Sequence, residues 1–308
     1  MQRRYTTVDV FTDRMFGGNP LAVVLDALGL SKAQMQSIAA EFNYAETTFV
    51  LPPSDEQHTA QVRIFTPRSE VPFAGHPNVG TAYVLARALA AAGKTLPERF
   101  QFEEGAGIVP VRILRDGKQV SGAELTAPAP LTRGAEIDPG IAAACLSLPV
   151  AEIAVAVHAP QVASVGLPFL IAEVSTRAAL ARSRPDLAAH EKYLPGLAAG
   201  VDAIFAYVRA PDDAGTQVLH ARMYAPLDGI PEDPATGSAT ASTLALLTEL
   251  AAPKDLECQW RVHQGDEMGR PSILLGSTAK RAGVLQYVRV GGRCAAVMTG
   301  TLEIDAAS

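Results

Sequence analysis

The feature that most constrains this chain is that part of it occurs twice. Arg63-Ile-Phe-Thr-Pro67 is followed by Pro72 and by Gly80-Thr-Ala82, which leads into an apolar helix. Arg222-Met-Tyr-Ala-Pro226 is followed by Pro231 and by Gly237-Ser-Ala239, which leads into another over residues 240–250. The offset is 159 residues as far as the second proline and 157 from the glycine onward. Upstream, Glu46-Thr-Thr-Phe49 matches Asp202-Ala-Ile-Phe205 at an offset of 156. Strand, proline turn and helix recur by chance in any α/β protein. Arginine, aromatic and proline in register, with an acidic residue upstream, are a closer match than that. They point to two copies of one supersecondary unit facing each other across a pseudo-twofold axis, with a ligand site favoured between the halves.

Around the repeat, the pattern alternates short strands with a few helices. Ser31 is placed to cap a helix over residues 32–41, and residues 77–92 read as a helix closed by Gly93. Strands fit residues 45–52, 61–66, 99–103, 107–114 and 153–157, and the Pro- and Gly-rich stretch 127–140 reads as a linker.

Several chemistries lack their motifs. Cys145, Cys258 and Cys294 show no CxxC spacing, which excludes a cysteine-built zinc site and a disulfide framework. The histidines, His58, His76, His158, His190, His220 and His263, show neither HxH nor HExxH spacing. No GxGxxG follows a strand, and no Walker A motif or GxSxG elbow occurs. Neither a metal nor an organic cofactor is expected. A net charge of −6 counts against a nucleic-acid partner. The N-terminus alternates like a strand, without the apolar core of a signal peptide. Residues 80–92 carry Arg87 and fall short of the ~20 residues a membrane span needs. A cytoplasmic protein with no membrane partner is expected.

The candidate chemistry gathers at the two helix starts. Backbone N–H groups in a first helical turn lack internal partners, so two such ends aimed at one cleft would hold a carboxylate without Arg or Lys. Thr81 and Ser238 occupy equivalent positions in the repeat and would add hydroxyl donors, or else serve only their own helix starts. Glu46 lies mid-strand, where the alternation favours the solvent face; burial would instead raise its pKa into a range useful for acid–base work. His76 stands in Phe73-Ala-Gly-His-Pro77, with Gly75 allowing close backbone approach and Pro77 fixing the start of the helix. Asp233, in Pro231-Glu-Asp-Pro-Ala-Thr-Gly-Ser238, either caps the next helix or meets substrate. Arg63 and Arg222 read as structural, each opening a strand.

Four stretches, Phe16-Gly-Gly-Asn-Pro-Leu-Ala-Val23, Asn43-Tyr-Ala-Glu-Thr-Thr-Phe49, Glu70-Val-Pro-Phe-Ala-Gly-His76 and Glu232-Asp-Pro-Ala-Thr-Gly-Ser-Ala239, resemble the PhzF-like family of phenazine-biosynthesis isomerases. Gln264-Gly-Asp-Glu-Met-Gly-Arg-Pro-Ser272 resembles that family's C-terminal motif, so the likeness runs in order along nearly the whole chain. The resemblance implies an α+β, diaminopimelate-epimerase-like fold: two pseudo-symmetric halves, each a mostly antiparallel sheet around a central helix. Residues 1–120 with 288–308 would form the first half and 127–287 the second, with the last strand returning to the first half. By the same resemblance Glu46, His76 and Asp233 are catalytic. Gly75, Pro77, Asn78, Gly237, Ser238 and Asn19 line the substrate site. Glu46 is then buried for a purpose, against the solvent-face reading. Pro77-Asn78 departs from the family's usual Ala-Thr or Pro-Thr, at a helix start that should contact substrate.

The expected activity is an isomerisation that moves a proton on a small unsaturated amino or hydroxy carboxylic acid, with Glu46 as single general acid–base and the chain as a homodimer. Racemases and epimerases of the same fold use two cysteines, whose positions fall here on Ala74 and Thr236. A cysteine-independent racemase or epimerase, a hydrolase or lyase using Asp233 and His76, and a catalytically silent binding protein on the same fold are the alternatives.

Overall fold

Ser31 caps the first helix as its position predicts. Its hydroxyl accepts from the Gln34 N–H at 3.2 Å, and the Gln34 side chain accepts in return from the Ser31 N–H at 3.0 Å. This reciprocal capping box satisfies two of the donors that every helix start leaves open. The helix runs over Lys32–Phe42 and stops at Asn43, whose left-handed backbone (φ 52°) breaks the hydrogen-bond ladder.

The computed structural model describes residues 1–304, so the segment 305–308, expected with the first half, lies outside the described residues. The chain divides into two units, residues 1–125 with 291 onward, and residues 126–290.

The first unit contains β1 (Gln2–Val10), β2 (Asn19–Val24), α1 (Lys32–Phe42), β3 (Glu46–Leu51), β4 (Ala60–Phe65), β5 (Glu70–Val71), α2 (Gly75–Ala91), β6 (Arg99–Glu104), β7 (Gly107–Asp116) and β8 (Gln119–Thr126). β1 pairs antiparallel with β2, β2 parallel with β3, and β3 antiparallel with β4. β4 pairs antiparallel with β5 and parallel with β6, and β6 antiparallel with β7.

The second unit contains β9 (Thr132–Glu136), α3 (Pro139–Cys145), β10 (Ile153–Ala154), β11 (Gln161–Ser164), β12 (Pro168–Val174), α4 (Arg177–Arg182), α5 (Leu187–Tyr193), β13 (Ile204–Asp213), β14 (Thr216–Ala225), β15 (Ile230–Asp233), α6 (Gly237–Leu250), β16 (Leu256–Gln264) and β17 (Ser272–Arg281). From β11 to β17 it repeats the first unit's pairing from β1 to β7: antiparallel, parallel, antiparallel, antiparallel, then a parallel partner for β14 in β16 and an antiparallel one for β16 in β17. The repeated motif is thus the visible part of a repeated topology. A last strand, β18 (Val284–Glu303), begins in the second unit and ends in the first, where it pairs antiparallel with β1 from Val10↔Cys294 to Gln2↔Glu303.

Each unit holds one helix buried almost all round. Residues 76–84 of α2 and 239–248 of α6 are buried without interruption. A helix that is apolar on every face belongs in a core, and here Ala, Gly, Ser and Thr keep it thin enough for strands to close on it. The fit is tight at Gly80, where a Cβ would lie 2.5 Å from Leu21 Cδ2 and 2.8 Å from Val10 Cγ2. Two pairs of buried hydroxyls bond each other in these cores, Thr48 with Thr81 at 2.8 Å and Thr248 with Thr278 at 2.7 Å, as buried polar groups favour.

Three expectations differ from what the chain adopts. Residues 127–140 are not a linker: they contain β9, which pairs with β11, and the start of α3, where Asp138 accepts from the Gly140 N–H at 2.8 Å and Pro139 takes the first turn. All five residues of β9 are exposed, so the strand carries no alternation to read. The strand expected at 153–157 is only two residues long. Arg63 and Arg222 lie inside β4 and β14 rather than opening them.

Candidate active site

The helix starts place the candidate residues, and they correct the register of the repeat. α2 begins at Gly75 and α6 at Gly237, so His76, not Thr81, corresponds to Ser238. Thr81 sits deeper in α2, fully buried against Thr48, and faces no helix start. Neither helix receives a hydrogen bond from the side chain at its N-cap, Ala74 in one and Thr236 in the other. The first-turn N–H groups and the positive end of each dipole are therefore left without a side-chain cap.

In the first unit, β2, β3 and α2 bring three candidates together. Asn19 opens β2, fully buried, and Pro20 follows it. Glu46 opens β3 beside Leu21 of β2. It is the first residue of its strand rather than a mid-strand one, and its side chain is 17% exposed. The strand after it, Thr47 to Val50, is buried on both faces, because α1 covers Phe49 on one face and α2 meets Thr48 on the other. The solvent-face reading assumed an alternation that a strand covered on both sides does not have.

His76, 7% exposed in its side chain, holds Nε2 3.5 Å from Glu46 Oε2. Burial drives its pKa down to about 3 against a hydrogen bond with the Pro20 backbone, so the ring is neutral at physiological pH. Proline offers only a carbonyl, so the ring nitrogen bonded to it carries the hydrogen. Nε2 has no hydrogen-bond partner and keeps its lone pair toward Glu46. A carboxyl facing an imidazole acceptor can pass a proton to it or take one back.

In the second unit, Asp233 ends β15 and is buried. Thr236 donates its hydroxyl to Asp233 Oδ2, so the N-cap side chain serves the aspartate instead of its helix. Gln264 ties the same loop from β16. It accepts from the Thr236 N–H at 3.1 Å and donates to the Asp233 carbonyl at 2.8 Å and to Thr236 Oγ1 at 3.0 Å. Ser272 Oγ donates to the Pro234 carbonyl at 2.8 Å. Gln264 and Ser272 are the two ends of the C-terminal motif, yet no spacing or pattern assigns them this work. Gly237 and Ser238, half-buried, are the first two residues of α6. Pro77 is buried and Asn78 fully buried in the first turn of α2, where Asn78 Nδ2 donates to the Ala74 carbonyl at 3.0 Å.

The three thiols are poor proton carriers. Burial pushes Cys145 up to about 12 and raises Cys258 and Cys294 as well, and none stands at a helix start. Among the described residues, no group of three or more His, Cys, Asp or Glu side chains is placed to hold a metal ion. No helix there is long and apolar enough to cross a membrane.

The arginines of the repeat make matching ion pairs. Arg63 Nε and Nη2 reach Glu70 at 2.6 and 2.9 Å, and Arg222 Nε and Nη2 reach Glu232 at 2.8 Å each. Each pair ties a longer strand, β4 or β14, to the short strand that precedes a central helix, β5 or β15.

Comparison with known proteins agrees with this architecture. The family profile described as phenazine biosynthesis-like protein, PhzC-PhzF, matches residues 8–300. The chain is 39% identical over 305 residues to an uncharacterized isomerase of Mesorhizobium japonicum, covering 98% of this chain and 99% of that protein. It is 33% identical over 304 residues to the trans-2,3-dihydro-3-hydroxyanthranilate isomerase of Pseudomonas chlororaphis, covering 97% and 99%. The crystal structure of a Bacillus anthracis PhzF-family protein superposes with a TM-score of 0.81 at 25% identity, covering 99% of this chain and all of that one. A hydroxyproline epimerase from Agrobacterium vitis, 14% identical with a TM-score of 0.59 over 99% and 93% of the two chains, shares the fold. The chain belongs to the phenazine biosynthesis-like PhzC-PhzF family, with its diaminopimelate-epimerase-like α+β fold, and is an isomerase of that family.

Proposed function

We propose that this isomerase moves a proton on a small unsaturated amino or hydroxy carboxylic acid, with Glu46 as the single general acid–base. The observation that carries the reading is the Glu46 carboxyl standing 3.5 Å from the Nε2 of a neutral, buried His76 at the start of α2. Glu46 removes a proton from a carbon made acidic by conjugation and returns it elsewhere on the same face. The His76 lone pair steadies the carboxyl while it holds that proton. The substrate carboxylate binds the N–H groups at the start of α2, which no side chain caps. Asp233, fixed by Thr236 and Gln264, orients an amino or hydroxyl group, and Ser238 adds a donor. The named reaction of the Pseudomonas chlororaphis relative is of this class.

Two-base cysteine racemisation has nothing to work with, because Ala74 and Thr236 stand at the helix starts and every thiol is held in its protonated form. The test is deuterium incorporation from heavy water, followed by NMR, over a panel of such acids that includes trans-2,3-dihydro-3-hydroxyanthranilate. A positioned acid–base group contributes about 10²–10⁴-fold, so Glu46→Gln should lose at least about a hundred-fold in exchange rate. Retention of more than about a tenth of the wild-type rate would remove Glu46 from this role. Wild type that binds these acids without exchanging any of them would instead be a binding protein on the isomerase fold.

A further inference from the structure

The unbroken burial of α2 ends at residue 84. Beyond it Leu85 and Leu89 are only half-buried, and at a spacing of four they share one face of the helix. They look onto a cavity of about 680 Å³ that lies wholly within the first unit. Leu25 and Leu28, after β2, and Val50 and Leu51, at the end of β3, also line it. Its volume falls within the ~300–1,000 Å³ of small-molecule sites. Leu85 and Leu89 stand nine and thirteen residues past His76 on the same helix, which at about 1.5 Å per residue is ~14–20 Å away. The cavity is therefore separate from the Glu46–His76 pair.

Its walls are fixed by backbone hydrogen bonds. The Leu25 N–H donates to the Arg4 carbonyl at 2.9 Å and the Ala27 N–H to the Val50 carbonyl at 3.1 Å. Its charge, in contrast, is unbalanced. Two charged residues line it, Asp26 and Arg3. Asp26 is held by Arg4 at 2.9 Å. Arg3 has no carboxylate partner among the described residues: Nη2 donates to the Leu28 carbonyl at 2.6 Å and lies 3.1 Å from the Met1 sulfur. Its Nε is shut off from solvent and makes no hydrogen bond. The guanidinium is thus pinned beside Leu28, which is 64% exposed at the rim, and Nη1 is left to donate. No aromatic side chain lines the cavity, so nothing there stacks on a planar ring. Walls of Leu, Val, Ala and Pro suit a flexible aliphatic chain instead.

We propose that this cavity is a second ligand site, which binds a medium-chain aliphatic carboxylate with its chain along Leu85 and Leu89 and its carboxylate on Arg3. One unpaired cation at the rim of an aliphatic cavity is complementary to one negative charge carried on one apolar chain. The guanidinium N–H groups match a carboxylate's oxygens, and the chain and the leucines leave water together. An uncharged chain would use only the walls, and a short acid only the rim. The site does not depend on the acid–base role given to Glu46, and its aliphatic lining separates its ligand from the conjugated acids proposed as substrates.

The test is calorimetric titration of the protein with butanoate, octanoate and octan-1-ol. Each buried methylene contributes about four-fold, so octanoate should bind wild type at least about ten-fold more tightly than butanoate. Arg3→Gln removes a charge-assisted pair at a half-exposed position; it should weaken octanoate about ten-fold and change octan-1-ol by no more than about two-fold. Leu89→Trp fills the cavity and should weaken octanoate and octan-1-ol together. Leu28→Asp, at an exposed position that accepts a charge without unfolding, should weaken octanoate more than octan-1-ol. Three results would overturn the inference: no saturable octanoate binding by wild type, no gain from butanoate to octanoate, or octanoate binding that both Arg3→Gln and Leu89→Trp leave unchanged. The last would place the acid elsewhere, as at the start of α2.

Discussion

The paired arginines offer an internal control on what a buried charge contributes. Arg222 is 3% exposed in its side chain, and Arg63 is 26% exposed. Arg222 grips Glu232 with two nitrogens and donates from Nη1 to the carbonyls of Leu180, Ala181 and Ser183 at 3.2, 3.0 and 2.9 Å. Truncation to alanine strands the largely buried Glu232 carboxylate and takes one of its donors from each of the three carbonyls, and breaking such a buried pair costs about 3–5 kcal/mol. Arg63→Ala removes a similar fork, but Lys32 Nζ still stands 2.8 Å from Glu70 Oε2 and solvent reaches both sides. A loss of about 1 kcal/mol is expected there. In a unit of this size each kcal/mol moves the midpoint about 2–4 °C. Calorimetry should therefore show Arg222→Ala unfolding on the order of 10 °C lower and Arg63→Ala only a few degrees lower. Replacing both partners, Arg222→Met with Glu232→Met, removes the stranded charge and should cost less than Arg222→Ala alone. Equal costs for the two alanine variants would refute the reasoning, because burial would then not be what separates them.

Two further outcomes are expected. Gln264→Leu strips three hydrogen bonds from the loop that carries Asp233. It should cost about 1–3 kcal/mol in urea unfolding and lower the turnover number about ten-fold or more, with a smaller change in KM; full activity in a destabilised variant would make the glutamine purely structural. His76 has a folded pKa of about 3 against an ordinary 6.5. The unfolded chain thus takes up a proton first, and the stability from keeping the ring neutral, present above 6.5, is lost as pH falls from 6.5 toward 3. Urea midpoints across that window should fall less steeply in His76→Asn than in wild type, and parallel slopes would show that the ring does not titrate this way.

Much of the fold was legible because its signals are local or repeated. The Ser31 cap, the apolar central helices and the strands of β3, β4, β6 and β7 all sit where pattern places them, to within a residue or two at most ends. The repeat was legible too, but its register was misread after the proline. Gly80-Thr-Ala82 looks more like Gly237-Ser-Ala239 than Gly75-His76 does, yet Gly80 is glycine for close packing on Leu21 and Val10, while Gly75 starts the helix. Side-chain similarity alone does not distinguish those two needs. Glu46 was misplaced by an alternation argument that fails for a strand covered on both faces. Gln264 and the ion pairs of the repeated arginines act through partners brought together by folding, and no spacing rule reaches them. Their geometry depends on the sheets having formed first.

The strand β18 also bears on how the protein is made. Residues 126–290 are contiguous, so that unit has all its strands but the shared last one in hand before synthesis ends. The other unit needs Gln2 to find Glu303 and Val10 to find Cys294. At about 5–20 residues per second, β1 waits on the order of half a minute on the ribosome for its outer partner. During that time it presents an open strand edge, the kind of surface that invites pairing with another chain. Arg3 and Arg4, exposed or half-exposed in β1, place charge on that edge. A nascent chain stalled before residue 294 should therefore be a far better chaperone client than one stalled after residue 303.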